Sequence, residues 1–300
     1  MNKSCEVIIV GAGIGGITAG IFLSRQGYNV TIFEKNAAPG GRCGNIVKDG
    51  HRFDIGATLL MMPGVFEKIY SAFGRSYTEE LKLYRMDPVY KVNFNNGEQL
   101  YFSSDMAEMQ KQFETLEPGS YEKFLKLMYK GYGIYKQSMK QLIDHNYDSI
   151  FDPAIINNVF LLIKSNAFTD HYKLISRYFK NELLRAILSF QNMYLGQDPF
   201  SASAIFTLIP SMELTEGVWF PEGGMNGITE NLSSIAKENN VKFIFNSPVK
   251  RIKVSGNTSE GIILEDDSFH RADIIISNAD LPYSYNNFLP ESRKAKRINK

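Results

Sequence analysis

The 300-residue sequence carries 33 Lys and Arg against 32 Asp and Glu, and its net charge of +1 excludes an electrostatic case for nucleic acid or an acidic partner. With 44% hydrophobic and 22% charged residues it has the make-up of a globular chain, long enough for one or two domains with a sizeable core. The two cysteines, Cys5 and Cys43, and the four histidines, His51, His145, His171 and His270, show no ligand spacing, which predicts free thiols in a reducing compartment and no metal centre.

The first residues lead straight into an apolar run that glycine interrupts from Gly11, with no small-residue cleavage site, so no signal peptide is expected. No stretch of about 18 apolar residues suggests a bilayer-spanning helix. Residues 7–10 are a β-branched run predicted as a strand, followed by a glycine-rich loop over 11–16 and a helical pattern over 17–26 that stops at Gly27. A second β-branched run, 30–33, ends at Glu34. This order is a βαβ unit, and its apolar strands suit a parallel sheet covered on both faces. Residues 90–94 and 99–102 flank Asn95-Asn96-Gly97-Glu98, which predicts a hairpin and hence a smaller antiparallel sheet.

From 121 to about 191 the apolar residues fall at helical spacing, as in Phe124, Leu125 and Met128, in Ile155, Ile156, Val159 and Phe160, and in Leu183, Leu184, Ile187 and Leu188. Strand-like runs return at 241–245, 249–254, 260–264 and 272–277. The chain is therefore expected to form a nucleotide-binding domain from 1–88 and 216–300, with a helical second domain over 89–215 inserted into it. No internal repeat or low-complexity tract occurs.

Three motifs carry chemistry. In Gly11-x-Gly13-x-x-Gly16 the first glycine makes the tight turn, the second lets backbone approach a pyrophosphate, and the third lets helix pack on strand. Glu34 follows about 20 residues on, where a carboxylate accepts hydrogen bonds from ribose hydroxyls and repels a 2′-phosphate. Pro39-Gly40-Gly41-Arg42 adds a second close-approach loop with a planar guanidinium suited to phosphate or a ring carbonyl. Over residues 50–58, Asp54 is expected to fix the turn that follows it and Gly56 to bring backbone against a ligand; Asp54 is not assigned to catalysis.

The fingerprint, Glu34 and the Gly-Gly-Arg loop together resemble the flavoprotein superfamily of amine oxidases, protoporphyrinogen oxidase and carotenoid desaturases. Tyr178-Phe179-Lys180, Leu184-Arg185, the stretches 193–200 (MYLGQDPF) and 216–224 (EGVWFPEGG), and Asn278-Ala279-Asp280 with Pro282-Tyr283 resemble the phytoene desaturases, nearest their fungal branch. The resemblance covers essentially the whole chain. It implies an α/β fold, a Rossmann-like FAD-binding domain with a β-sheet plus helical substrate domain. It implies FAD held by Gly11, Gly13, Gly16, Glu34, Lys35, Gly41, Arg42, Gly56, Ala57, Val249 at the adenine, Asn278 and Asp280, with no catalytic residue named.

It further implies hydride transfer from a linear C40 polyene, phytoene first, to flavin, with reoxidation by a quinone or oxygen. An intracellular enzyme attached peripherally to a membrane surface follows, with an apolar tunnel drawn from the Phe, Tyr, Met and Leu of 121–220. The basic end, Lys294, Lys296, Arg297 and Lys300, reads as a solvated face, with contact to an anionic membrane surface as the minority alternative. Two rivals stay open: another flavoenzyme of the superfamily, such as a retinol saturase-like enzyme, and a non-catalytic prenyl-lipid carrier on the same fold, as in the Rab GDP-dissociation inhibitors. Family members continue for a further domain-sized stretch beyond the position of Lys300.

Overall fold

In the computed structural model, which describes residues 5–143 and 154–289, the first apolar run becomes the strand Glu6–Val10 and the second the strand Asn29–Phe33. They are the middle of a four-stranded parallel sheet in the order Ile274–Ser277, Glu6–Val10, Asn29–Phe33, Lys242–Ile244. Side chains alternate across a strand, so Ile9 and Ile32 face one side and Ile8, Val10 and Phe33 the other. On the first side the helix Ile14–Arg25 lies so close at Gly20 that a Cβ there would meet Ile32 at 3.2 Å and Ile9 at 3.5 Å. On the second side Ile8, Val10 and Phe33 pack with Val249, Ile262 and Leu264 of a three-stranded antiparallel sheet, Val249–Ser255, Thr258–Leu264 and Phe269–Arg271. Both faces are covered, one by helix and one by sheet.

The helix begins at Ile14, three residues before the apolar periodicity starts, because Gly15 and Gly16 form its first turn. A hairpin that the sequence analysis did not resolve, Asn45–Lys48 with His51–Asp54, turns at Asp49-Gly50, both at positive φ (51° and 77°) as a tight two-residue hairpin requires. The helix Asn226–Glu238 also went unread, although Ile228, Leu232, Ile235 and Ala236 mark its buried stripe. These elements belong to one compact unit, Met1–Leu60, Gly64–Tyr84 and Phe220–Lys300. The basic end and His145 lie outside the described residues.

The second unit comprises Met61–Pro63 and Arg85–Trp219, so the chain crosses between units near 84/85 and 219/220, where the sequence reading set 88/89 and 215/216. Its hairpin pairs Tyr90–Asn93 with Gln99–Phe102. The helix Met106–Leu116 opens on Asp105, whose carboxylate accepts from the N–H groups of Ala107 and Glu108. Further helices are Ser120–Ser138, Ala154–Lys164, His171–Ser176, Glu182–Ser189 and Leu208–Glu216. Phe102, Phe113, Phe124, Leu127, Met128, Phe179, Leu184, Ile187 and Leu188 form its core. Some of the apolar residues of 121–220 thus go into packed interior, while Leu125, Tyr129, Phe160, Phe168, Met193 and Phe200 are exposed. Where Ser120–Ser138 crosses Leu208–Glu216, a Cβ on Gly131 would stand 2.0 Å from Ser211 Oγ and 2.5 Å from the Thr207 carbonyl, so only glycine fits.

Among the polar groups buried in this unit are His171 and Glu213. His171 shares a hydrogen bond with Asn192, its Nε2 has no partner among the described residues, and burial brings its pKa down to about 4. Glu213 accepts from Gln191 Nε2 at 3.0 Å, and Gln191 also donates to the Tyr90 hydroxyl. Burial pushes the Glu213 carboxyl up to about 7 against the lowering effect of hydrogen bonds from Gln191 and Tyr194. No helix among the described residues is long and apolar enough to cross a membrane.

Candidate functional site

The parallel strands of the first unit end at a cleft of about 800 Å³. Its walls are the glycine loop after Glu6–Val10, residues 34–36 after Asn29–Phe33, the Gly40–Cys43 loop, residues 247–249, and residues 278–280 after Ile274–Ser277. Ligand sites sit at the carboxyl ends of such strands because the loops there are free of the sheet ladder.

The two glycine loops interlock. Gly11 turns at φ +100° and donates its N–H to the Phe33 carbonyl at 2.8 Å. Gly40 N–H donates to the Ala12 carbonyl at 2.9 Å, and a Cβ on Gly41 would stand 3.2 Å from Gly13 Cα. Backbone thus lies on backbone, which side chains would forbid. At Gly16 a Cβ would come within 2.3 Å of the Gly11 carbonyl oxygen, so this glycine lets the helix start beneath the loop. The N–H groups of that first turn have no carbonyl one turn back, and they add the positive end of a 12-residue helix to the cleft floor.

Glu34 is buried. Its Oε2 accepts from Ala12 N–H at 2.7 Å and its Oε1 from Asn36 N–H at 2.9 Å. The carboxylate ties the glycine loop to the turn after the second strand, and each oxygen keeps acceptor capacity for a hydroxyl. Val249 forms part of the wall beside Phe33. Asn278 N–H donates to the Val10 carbonyl at 2.9 Å, and its side chain lies where a Cβ on Gly13 or Gly15 would meet it at 3.0 or 2.7 Å. Arg42 forms an ion pair with Asp280.

Of the residues expected at a cofactor, Gly11, Gly13, Glu34, Lys35, Gly41, Arg42, Val249, Asn278 and Asp280 line the cleft. Gly16, Gly56 and Ala57 do not. Gly56 has its close approach to the Arg42 carbonyl, 2.1 Å from where a Cβ would be, and Ala57 N–H donates to the same carbonyl at 3.2 Å. The 56–57 turn braces the Gly-Gly-Arg loop from outside the cleft. Asp54 does not fix the turn after it: its Oδ2 accepts from Met225 N–H at 3.2 Å, just before Asn226–Glu238, and Oδ1 has no partner among the described residues. Burial first, then the charge of Asp54, raises the Cys43 thiol, which makes a poor nucleophile of the cysteine in the cleft wall. Sequence reasoning missed Asn226, whose buried amide donates to the Cys43 carbonyl at 3.1 Å and so anchors the loop; nothing in its sequence neighbourhood marks that contact.

A parallel βαβ unit whose glycine loop, buried acidic residue and second glycine loop enclose one cleft defines a dinucleotide-binding protein of the Rossmann type. The chain belongs to the flavin containing amine oxidoreductase family, whose sequence pattern matches residues 14–300. It is 38% identical over 299 residues to a zeta-carotene-forming phytoene desaturase of Myxococcus xanthus, covering 98% of this chain and 57% of that one. It is 35% identical over 292 residues to a phytoene desaturase of Phycomyces blakesleeanus, covering 96% and 50%. The chain thus spans about half the length of the curated relatives it matches. An oxidoreductase from Methanosarcina mazei superposes with a TM-score of 0.67 at 19% identity, covering 98% of this chain and 63% of that one, a likeness of fold alone.

The cofactor this family implies is FAD. The cleft fits it: the volume suits a dinucleotide, the glycines keep the two loops free of side chains of their own, and Arg42 and Lys35 are the cations at its wall.

Proposed function

We propose that this chain carries the FAD site and part of the substrate domain of a phytoene desaturase. The observation that carries the reading is the cleft of two interlocked glycine loops, in a chain that matches a zeta-carotene-forming phytoene desaturase along nearly its whole length. On this reading Gly11 and Gly13 offer backbone to the diphosphate above the helix N-terminus. Glu34 accepts from the ribose, with Lys35 beside it. Gly41 and Arg42 form the second wall, Val249 contacts the adenine through its backbone, and Asn278 and Asp280 form the lip. Gly16, Gly56 and Ala57 frame the site from behind. Bound FAD would supply the two-electron oxidant that takes a hydride from one carbon of the polyene while a proton leaves the neighbouring carbon to solvent, and the protein's part is to hold and orient the chain. A quinone or oxygen is the proposed acceptor of the electrons.

A membrane surface is the proposed source of substrate. On the second unit Phe160 and Ile163 share one face of the helix Ala154–Lys164, and Phe168 follows in the next turn; Phe160 is 68% and Phe168 81% exposed. Aromatic side chains this open lose little on entering lipid headgroups. Phe160→Asp with Phe168→Asp should cut co-sedimentation with anionic lipid vesicles several-fold without changing the circular dichroism; equal sedimentation of variant and parent sinks the membrane proposal.

The test of the reaction is expression of the complete reading frame in a phytoene-accumulating host, with pigment analysis. Coloured, more conjugated products are expected at the expense of phytoene. A flavin-loaded protein that leaves phytoene untouched overturns the substrate assignment.

A further inference from the structure

The charges in the cleft are unevenly used. Two cations, Lys35 and Arg42, and three carboxylates, Glu34, Glu265 and Asp280, line it. Glu34 is engaged by two backbone N–H groups. Arg42 is engaged by Asp280, 238 positions along the chain, so an ion pair joins the Gly-Gly-Arg loop to the segment that follows the strand Ile274–Ser277. With side chains 81% and 65% exposed, such a pair adds little to stability. Nor is the carboxylate needed to start a helix: Asp280 precedes the short helix Leu281–Tyr283, yet its side chain makes no capping hydrogen bond.

What the pair does is chemical. A carboxylate on a guanidinium occupies the position that an oxygen of an anionic ligand would take, with the same charge and the same acceptor geometry. We propose that Asp280 is a positioning residue acting through Arg42: it holds the guanidinium over the cleft as a place-holding anion, and the diphosphate of the incoming cofactor displaces it. This rests on the FAD reading above. While Asp280 is in place, it keeps Arg42 aimed across the cleft and also cancels the charge that would draw a diphosphate in. Entry of the cofactor therefore exchanges one anion for another on Arg42, and Asp280 slows that entry.

The experiment is stopped-flow flavin fluorescence on mixing FAD with the flavin-stripped chain, for the parent, Asp280→Asn, Arg42→Gln and the double variant. Asp280→Asn should raise the association rate constant about ten-fold at low ionic strength, because Arg42 is freed of its competing anion and a like charge leaves the path of the dianion. The gain should shrink at high salt as the charges are screened, and it should be several-fold smaller in the Arg42→Gln background, where the repulsion by Asp280 is relieved but no guanidinium is freed. Asp280→Ser is expected to behave like Asp280→Asn, which guards against a local effect of one side chain. An unchanged association rate overturns the proposal, as does an equal change with and without Arg42. Faster dissociation with unchanged association would mean that Asp280 contacts the cofactor directly, and also overturns it. If the parent itself takes up no FAD, the cofactor reading fails and the place-holding role fails with it.

Discussion

Gly16→Val is expected to abolish FAD retention, with at least about a 100-fold loss of affinity, or about 2.7 kcal/mol. The Cβ would stand 2.3 Å from the Gly11 carbonyl oxygen and 3.2 Å from Asn278. The first contact is with backbone, which cannot swing aside as a flexible side chain can. Either the helix Ile14–Arg25 retreats or the loop above it lifts, and both displace the N–H groups that face the diphosphate. Gly16→Ala carries the same Cβ and should fall in the same direction. Gly133→Ala is the control: it sits in the helix Ser120–Ser138 with nothing within 4 Å of its new Cβ, and should keep full FAD binding. Flavin absorbance after gel filtration, with far-ultraviolet circular dichroism to verify folding, reads all three. Retention of FAD by a well-folded Gly16→Val protein would show that the loop does not carry the cofactor.

The second large effect lies in the other unit. Glu213 is buried, and burial pushes its carboxyl in the folded state up to about 7 against an ordinary 4.5. A raised carboxyl favours the folded state wherever the proton stays on. Below about pH 4.5 folded and unfolded chains both carry it; from there upward the unfolded chain releases its proton while the folded one holds it, and stability falls. Above about 7 the loss is complete, because the fold must then bury a carboxylate with no cation beside it. Glu213→Gln keeps the shape and the acceptor for Gln191 but removes the proton. The variant should match the parent near pH 4 and exceed it by about 3 kcal/mol at pH 8. For a unit of this size that is roughly 8 °C in melting temperature. Thermal melts at several pH values decide the matter, since all other titrating groups are common to both proteins. A difference that does not grow with pH would contradict the assignment of a protonated Glu213.

The βαβ unit was legible because its signals are local. Apolar runs of four residues, a glycine spacing and Glu34 all fall within about 30 consecutive positions, and each has a single physical meaning there. The hairpin at Asn95-Asn96-Gly97 was read from turn chemistry in the same way, and Asp49-Gly50 offered an equally good signal that went unread. The site's closure was not legible. Asp54 meets Met225 171 positions away and Arg42 meets Asp280 238 positions away, and neither contact leaves a mark on the residues beside it. Asp54 and Gly56 show the consequence: their residue types were rightly read as conformationally special, but the groups they meet, Met225 N–H and the Arg42 carbonyl, are set by tertiary packing. The apolar residues of 121–220 are a different case. Helical spacing of Phe, Leu and Met predicts burial equally for a channel lining and for a solid core; here Phe124, Leu127, Met128, Phe179, Leu184 and Leu188 lie in a core, while Leu125, Tyr129, Phe160 and Phe168 are exposed.

The central claim is that the cleft at the ends of the parallel strands holds FAD. Equilibrium titration of the purified 300-residue chain with FAD, followed by flavin fluorescence and by the visible spectrum of the protein after desalting, tests it most directly. Saturable uptake of a single FAD per chain, with a yellow protein surviving desalting, is the expected result. A folded chain that stays colourless and leaves free FAD fluorescence unchanged would contradict it.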